Sequence, residues 1–268
     1  ELGYVSIAST NTAFAALKQD GSIRTWGENA AGGSGAPTGS GFTKIASNQN
    51  AFAALKADGS ISVWGNTGSG GANAPTGTGF KSITSSGTAF AALKANGSIS
   101  AWGNTGSGGT GAPTGTGYSS IASNGSAFAA LSPTGSIAAW GNTSFGGNGV
   151  PTGTGFTTIF SNQNAFAALK AADGSIKAWG TAASGGTGAP TGTGYTRIFS
   201  TGTAFAAQKA DGAITVWGNT ASGGKGAPTG TGWQPIQSVM DIDTRATATG
   251  VVSINTSAVE RGGSVTLT

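Results

Sequence analysis

A short hydrophobic pattern recurs six times along the chain. Its first copy spans residues 13–27, where two apolar runs flank a polar segment that contains a glycine. Each copy has a phenylalanine in the first run and a tryptophan in the second. The tryptophans are Trp26, Trp64, Trp102, Trp140, Trp179 and Trp217, at steps of 38, 38, 38, 39 and 38 residues. A fixed period in this range indicates a repeat architecture.

The two runs of each copy read as a β-hairpin. Five turns carry Asp-Gly or Asn-Gly, which predicts a type I′ turn. Copy four has Pro133-Thr134-Gly135 instead. Copy five has one extra residue at Ala171-Ala172, which accounts for the step of 39. An insertion at this point is typical of a loop, so it supports a hairpin tip there.

A further strand is predicted ahead of each hairpin by the pattern aromatic-x-x-Ile-x-Ser, as in residues 4–9. After each hairpin comes a glycine-rich connection of about 15 residues, such as 65–79, without apolar periodicity. After three antiparallel strands, the chain is at the end of the sheet opposite to its starting point. The connection must therefore cross back, and part of it is a candidate outer strand.

Both faces of the hairpin are apolar. Alternation along each strand predicts Phe14 and Ile23 on one side, with Leu17 and Trp26 on the other. A sheet that buries both faces needs a neighbour on each side, and radially stacked blades supply one. The chain is therefore predicted to be an all-β protein, a β-propeller of ~38-residue repeats.

The number of blades has two interpretations. A seventh first strand is predicted at residues 233–238, because Trp233 follows Tyr195 by 38 residues, and Gly250 occupies the next turn position. This favours seven blades, six clear units plus a degenerate seventh. In the alternative, six blades are closed by the Trp233 strand. We accordingly assign residues 1–242 to the propeller repeats and leave 243–268 as a degenerate last blade or the start of another domain.

Composition argues against the common enzymatic chemistries. The chain has 268 residues, 50 of them glycine, with no cysteine or histidine. Zinc sites and Ser-His or Cys-His nucleophiles are therefore excluded as usually built. The net charge of +4 is spread without a run, which does not indicate nucleic-acid binding. No apolar stretch is long enough to span a membrane, so no membrane insertion is expected.

The carboxylates point to structure and not to catalysis. Asp20, Asp58, Asp173 and Asp211 fall at hairpin tips. The close pair Asp241 and Asp243 lacks the glycine and glutamate of a calcium loop and reads as a linker. We therefore predict no enzyme activity, no metal and no cofactor. The recurring tryptophans are predicted to be core between blades rather than sugar-stacking platforms.

Candidate ligand-binding residues are those where a repeat departs from its own pattern. Phe145 replaces a serine, and Phe160 and Phe199 replace alanines of other copies. Lys177 and Arg197 add charge in the same units. Exposed aromatic residues beside basic ones are typical of interface hot spots. We predict a partner-binding rim on units four to six, with local repacking as the alternative.

The motif Ile-Ala-Ser-x-x-x-Ala-Phe-Ala-Ala-Leu-Lys-x-Asp-Gly-Ser-Ile-x-x-Trp-Gly resembles the repeat of the regulator-of-chromosome-condensation propeller superfamily. Its bacterial members, including the secreted propeller inhibitor of β-lactamases, are more similar. The resemblance covers residues 4 to about 240 and implies a seven-bladed propeller. The histidine common in many family repeats is replaced near Ala13, so guanine-nucleotide exchange is not expected.

The near-identity of the units also resembles propeller segments of invasin- or intimin-like bacterial surface proteins. Residues 251–268 resemble the opening strands of a bacterial immunoglobulin-like domain. This resemblance implies an extracellular, non-enzymatic binding module of a bacterial surface adhesin, monomeric within a longer chain. Its loops would be presented to a host-surface protein or glycan. The alternative is a secreted inhibitor that caps a target enzyme with one propeller face.

Overall fold

Six three-stranded antiparallel sheets make up the described part of the chain. The computed structural model describes residues 3–233. The predicted all-β propeller is confirmed, with six blades in this range. The predicted seventh blade and the assignment of residues 243–268 lie outside the described residues.

Each blade contains three consecutive strands, and consecutive strands pair with each other. The strands are β1 (Tyr4–Ser9), β2 (Ala13–Lys18) and β3 (Ile23–Gly27) in blade one; β4 (Phe42–Ser47), β5 (Ala51–Lys56) and β6 (Ile61–Gly65) in blade two; β7 (Phe80–Ser85), β8 (Ala89–Lys94) and β9 (Ile99–Gly103) in blade three; β10 (Ser120–Ser123), β11 (Ala127–Leu131) and β12 (Ile137–Gly141) in blade four; β13 (Phe156–Ser161), β14 (Ala165–Lys170) and β15 (Ile176–Gly180) in blade five; and β16 (Tyr195–Ser200), β17 (Ala204–Lys209) and β18 (Ile214–Gly218) in blade six.

The first strand of each blade is the innermost, because the first strands of successive blades lie next to one another. Hydrogen bonds join them around the axis. The Ser85 hydroxyl donates to the Ser47 carbonyl at 2.7 Å, and three later blades repeat the contact. Backbone N–H groups of the tight turns that follow the first strands also donate from blade to blade, beginning with Asn11 to the Gln49 carbonyl at 2.9 Å. These bonds fix the spacing of the blades where they converge.

The two aromatic residues of each hairpin lie on the same face, which corrects the predicted distribution of side chains. Phe14 is paired directly with Trp26, and Leu17 with Ile23. Directly opposed residues of an antiparallel pair project to the same side of the sheet. The predicted alternation of side chains within each strand was right. The predicted pairing of residues on the two strands was wrong, because the turn geometry sets the register. In all six blades the Phe and Trp rings stack, with centroids 5.0–5.3 Å apart.

In blades two to six, the Phe–Trp pair packs against the connection of the preceding blade. The Trp64 indole donates its Nε1–H to the Gly32 carbonyl at 3.0 Å, and the next four blades repeat this bond at 3.0–3.1 Å. A Cβ on Gly32 would lie 2.6 Å from the Phe52 ring, so a side chain there would collide with it. Glycine is required because the aromatic pair of the following blade lies directly against the backbone.

The predicted type I′ turn is also wrong. Gly21 has a φ of +80°, whereas Asp20 has no positive φ, and type I′ requires one at both central residues. The Gly21 N–H donates to the Lys18 carbonyl and the Lys18 N–H to the Ser22 carbonyl. The loop therefore has three residues and ends in a left-handed glycine. The extra residue of blade five lies in its turn and leaves β14 and β15 intact, as predicted.

The connection forms a short 3₁₀ helix and not the candidate outer strand of the sequence analysis. Asn66 caps the 3₁₀ helix of blade two, since its side chain accepts a hydrogen bond from the Ser69 N–H at 3.0 Å. Gly70 then ends the helix in the left-handed conformation, with a φ of +91°. The equivalent 3₁₀ helices are Asn29–Ala31, Thr67–Ser69, Thr105–Ser107, Thr143–Phe145, Ala182–Ser184 and Thr220–Ser222.

We predict that truncation of the same aromatic residue has a very different cost in different blades. Phe128 is fully buried against blade three, so Phe128→Ala should lower the free energy of unfolding by about 3–5 kcal/mol. Phe14 is 45% exposed, and Phe14→Ala should cost no more than about 1–2 kcal/mol. Urea unfolding of both variants measures the difference. Equal losses would contradict the packing between blades.

A second pair of variants isolates the contact between glycine and aromatic ring. Gly108 and Gly223 both have positive φ, so alanine adds similar backbone strain at each. A Cβ on Gly108 would lie 2.6 Å from the Phe128 ring, whereas a Cβ on Gly223 meets no atom within 4 Å. We expect Gly108→Ala to destabilise by about 1–3 kcal/mol more than Gly223→Ala, because only Gly108 is overpacked. Matched thermal midpoints would refute the contact.

Candidate binding surfaces

The residues predicted to bind a partner occupy three different environments. Phe145 ends a 3₁₀ helix of blade four and is half-buried against a cluster that includes Phe166 and Trp179 of blade five. Its carbonyl accepts a hydrogen bond from the Asn124 side chain at 2.6 Å. Phe160 is half-buried on β13, where it packs with Phe205 of blade six. Both rings therefore lie between blades, at different interfaces.

Phe199 and Arg197 are brought together by the structure. They lie two residues apart on β16 and so project from the same side of the strand. Both are exposed, and Phe199 has the position in blade six that Phe160 has in blade five. Lys177 is exposed at the start of β15, the outermost strand of blade five. Only Arg197 and Phe199 form the adjacent aromatic and basic pair that the sequence predicts.

A shallow apolar cleft of about 110 Å³ opens beside Phe199. Its lining includes Ala204, Phe205, Ser222 and Gly223. Gly223 lies on the side of blade six that in blade five is covered by the next blade, since Gly185 has the equivalent position there. The cleft follows from the absence of a covering blade within residues 3–233.

The charged residues are collected at one face of the propeller, which we call the turn face because the hairpin turns lie on it. Ten of the eleven cations in residues 3–233 lie at the ends of strands next to these turns, and none is buried. Four of the five acidic residues in the same range are also there, which leaves six positive charges in excess. The cations are Lys18, Arg24, Lys44, Lys56, Lys81, Lys94, Lys170, Lys177, Arg197 and Lys209.

Five of these lysines are held over aromatic rings. Each Nζ lies 4.7–5.5 Å from the centroid of the ring that begins the same blade, as Lys94 does over Phe80. Such a contact orients the ammonium group while its outer side stays in water. Blade four interrupts the series, since Ser132 takes the place of the lysine. The turn face is therefore an incomplete ring of fixed positive charges.

The aspartates of the turn face belong to the turns, as predicted. The Asp20 carboxylate accepts hydrogen bonds from the Ser22 N–H and hydroxyl, at 2.9 and 2.7 Å. The backbone bond from Ser22 is the largest cause that lowers the pKa of Asp20, and the nearby Lys18 lowers it further. Asp58 and Asp173 have lowered pKa values for the same reasons. These groups stay ionised at neutral pH and offset part of the lysine charge.

The opposite face, which we call the loop face, carries amides and hydroxyls. Its charged residues in the described range are Glu28 and Lys225. Many of its polar groups are occupied internally. The Asn48 amide donates to the Ser69 carbonyl at 2.6 Å and its oxygen accepts from the Asn50 and Ala51 N–H groups. This face therefore holds the connections in place and offers little charge.

Sequence reasoning missed the turn face as a surface. The signal was present, because a lysine precedes the turn in five of the six copies. Counted along the chain, the charges look diffuse. The fold brings strand ends that are 38 residues apart to one side.

No group of three or more residues of the kinds that bind metals lies together in residues 3–233. No helix within this range is long and apolar enough to cross a bilayer.

Comparison with known proteins identifies the fold. No protein-family profile and no curated protein sequence matches the chain. Among solved structures, it is similar to the ectodomain of the Physcomitrella patens receptor kinase CR4, with a TM-score of 0.55 and 21% identity over 82% of this chain. The chain spans only 62% of that structure's length.

Two further structures give similar matches. The CRINKLY WD40 ectodomain of the Arabidopsis thaliana receptor kinase ACR4 has a TM-score of 0.53 and 17% identity over 81% of this chain and 80% of its own. Yeast RCC1 (Prp20), solved with Kap60 bound, has a TM-score of 0.50 and 14% identity over 82% of this chain and 70% of its own. The chain therefore has the fold of an RCC1-like β-propeller.

Proposed function

We propose that the chain is a non-enzymatic binding module of a bacterial surface adhesin, and that its turn face binds an acidic glycan on a host cell. The observation that carries this proposal is the excess of six positive charges on the turn face, against a loop face with one charge of each sign. A surface that presents one sign of charge attracts partners of the other sign and speeds their association.

The geometry of the charges suits an extended polyanion. Lysines on successive blades repeat around the axis, and their ammonium groups are oriented by aromatic rings. Lys44, Lys81 and Arg197 add charge at the starts of the inner strands, closer to the axis. A polymer with sulfate or carboxylate groups can contact several of these cations together, so that individually weak contacts add up.

The exposed pair Arg197 and Phe199 would extend this surface over the edge of blade six. An aromatic ring beside a guanidinium group can stack on a sugar and pair with its acidic substituent. Among the structural neighbours, two are receptor-kinase ectodomains and one was solved with a protein partner. These neighbours support a binding role for the fold, and the acidic glycan is proposed from the charges alone.

Binding to heparin, with uncharged dextran as the reference polymer, tests the proposal. We expect the triple variant Lys44→Gln, Lys81→Gln, Lys94→Gln to bind heparin about tenfold more weakly, since three exposed contacts of ~0.5 kcal/mol each are removed. The single variant Lys81→Gln should weaken heparin binding less than the triple variant does. Its matched control is Lys225→Gln on the loop face, which should leave the heparin affinity unchanged. Interferometry across a range of salt concentrations measures both effects.

Two results would reject the turn face as the site. One is heparin affinity that is equal in the triple variant and the unaltered protein. The other is binding that does not weaken with added salt, because exposed charge pairs are screened by ions. Unaltered binding of the triple variant to host cells would direct attention to the loop face or to another partner.

A further inference from the structure

One sector of the turn face carries no charge. Residues 95–169, which include all of blade four and parts of blades three and five, contain no lysine, arginine, aspartate or glutamate. Blade four is flanked on both sides by other blades, so the surroundings of this sector are complete. We call it the neutral sector, and the residues that form it on the turn face are Asn96, Tyr118, Ser119, Ser132 and Thr134.

The ring of Tyr118 is more open than the equivalent rings of the other inner blades. The aromatic rings that begin blades two, three, five and six each lie beneath a lysine and are only 2–6% exposed. Tyr118 begins blade four and is half-buried. Ser132 has the place of the lysine there and is too short to cover the ring. The ring face that a lysine covers in the other blades is therefore open at Tyr118.

The hydroxyl group of Tyr118 is also free within residues 3–233. In blade six, the hydroxyl groups of Tyr195 and Thr215 share a hydrogen bond of 3.0 Å. Ala138 has the position of Thr215 in blade four, so this partner is missing there. Tyr118 can therefore offer a ligand both a ring face and a hydroxyl group.

An amide lies beside Tyr118 where other turns have a carboxylate. Asn96 has the place that aspartate has in the turns of blades one, two, five and six. The Tyr118 N–H donates to the Gly97 carbonyl at 3.1 Å, so this turn lies directly against the start of blade four. The Asn96 Oδ1 accepts hydrogen bonds from the Ser98 N–H and hydroxyl, at 3.0 and 2.9 Å. The exposed amide keeps its NH₂ group as a donor for a ligand.

The turn of blade four keeps its hydrogen bonds without any charged group. The Ser132 hydroxyl accepts the Ser136 N–H at 3.0 Å, whereas in blade two the Asp58 carboxylate accepts the Ser60 N–H at 2.8 Å. The hydroxyl groups of Thr134 and Ser132 lie 2.9 Å apart and are bonded to each other. Hydroxyl groups therefore replace both the lysine and the aspartate of the other turns.

We propose that the neutral sector binds an uncharged sugar ring, while acidic groups on the neighbouring sugars contact the lysines of blades three and five. A pyranose has an apolar face that can stack on Tyr118, and its hydroxyl groups can pair with the amide and hydroxyl groups around that ring. The preferred ligand is thus a glycan in which uncharged and acidic sugars alternate. This inference rests on the proposed function and specifies its ligand class.

The ratio of the affinities for two polymers tests the proposal. Hyaluronan alternates glucuronate with uncharged N-acetylglucosamine, whereas heparin carries acidic groups on nearly every sugar. We expect Tyr118→Ala to lower the ratio of hyaluronan affinity to heparin affinity about fivefold, because only hyaluronan brings an uncharged sugar to the Tyr118 ring. Interferometry with both polymers on one preparation measures the ratio, and the thermal midpoint shows that the variant is folded.

A matched pair of turn variants tests the same contact with Tyr118 intact. Ser132→Lys with Thr134→Asp rebuilds the turn of the other blades and places a lysine over the ring. Pro133→Lys with Thr134→Asp has the same net charge, but its lysine lies one residue further into the turn. We expect the affinity ratio to fall about fivefold in the first variant and to stay within about twofold of the unaltered protein in the second.

Three results would overturn the inference alone. They are an affinity ratio that Tyr118→Ala leaves unchanged, an equal fall of the ratio in the two turn variants, and salt-sensitive heparin binding without any hyaluronan binding. The proposed function fails separately, through heparin binding that neither salt nor the triple lysine variant weakens. An unaltered protein that binds neither polymer would reject both.

Discussion

In blades two to six, a stacked Phe–Trp pair lies against a glycine of the preceding blade, and this contact holds the described blades together. The pair can reach the neighbouring backbone only because that glycine has no side chain, as Gly108 shows beside Phe128. The indole N–H then bonds to the glycine carbonyl, so the close approach leaves neither group unsatisfied. The rest of the repeat makes this contact possible. The alanines of the middle strand allow neighbouring sheets to pack closely, and the glycine lies at the end of the 3₁₀ helix.

This arrangement also determines where charge can be. Sheets that bury both faces leave only strand ends and turns for ionised groups, so cations from all three strands gather on the turn face. The loop face is taken up by the capped connections and their internal hydrogen bonds, as at Asn48. The proposed binding through the turn face would therefore leave the core untouched.

The sequence predicts the repeat, the strands and the burial of five of the six recurring tryptophans, because these depend on local pattern and on a strict period. The prediction that Trp26 is also core was wrong, since Trp26 is 47% exposed. Sequence reasoning also failed where geometry across strands decides the outcome. The pairing of Phe14 with Trp26 follows from a three-residue turn that Asp-Gly alone does not distinguish from a two-residue one. Phe145 and Phe160 looked like surface departures from the repeat, but their burial depends on the neighbouring blade, whereas the same departure at Phe199 is exposed. The clustering of lysines likewise depends on which strand ends the fold brings together.

Hydrogen exchange at the indole N–H groups tests the contact between blades most directly. With resonances assigned by single Trp→Phe variants, Trp64, Trp102, Trp140, Trp179 and Trp217 should all exchange slowly, since each is buried and bonded to a glycine carbonyl. Trp26, which is 47% exposed, should exchange much faster under the same conditions. Fast exchange at all six tryptophans would contradict the account, because the aromatic pairs would then not be seated against the preceding blades.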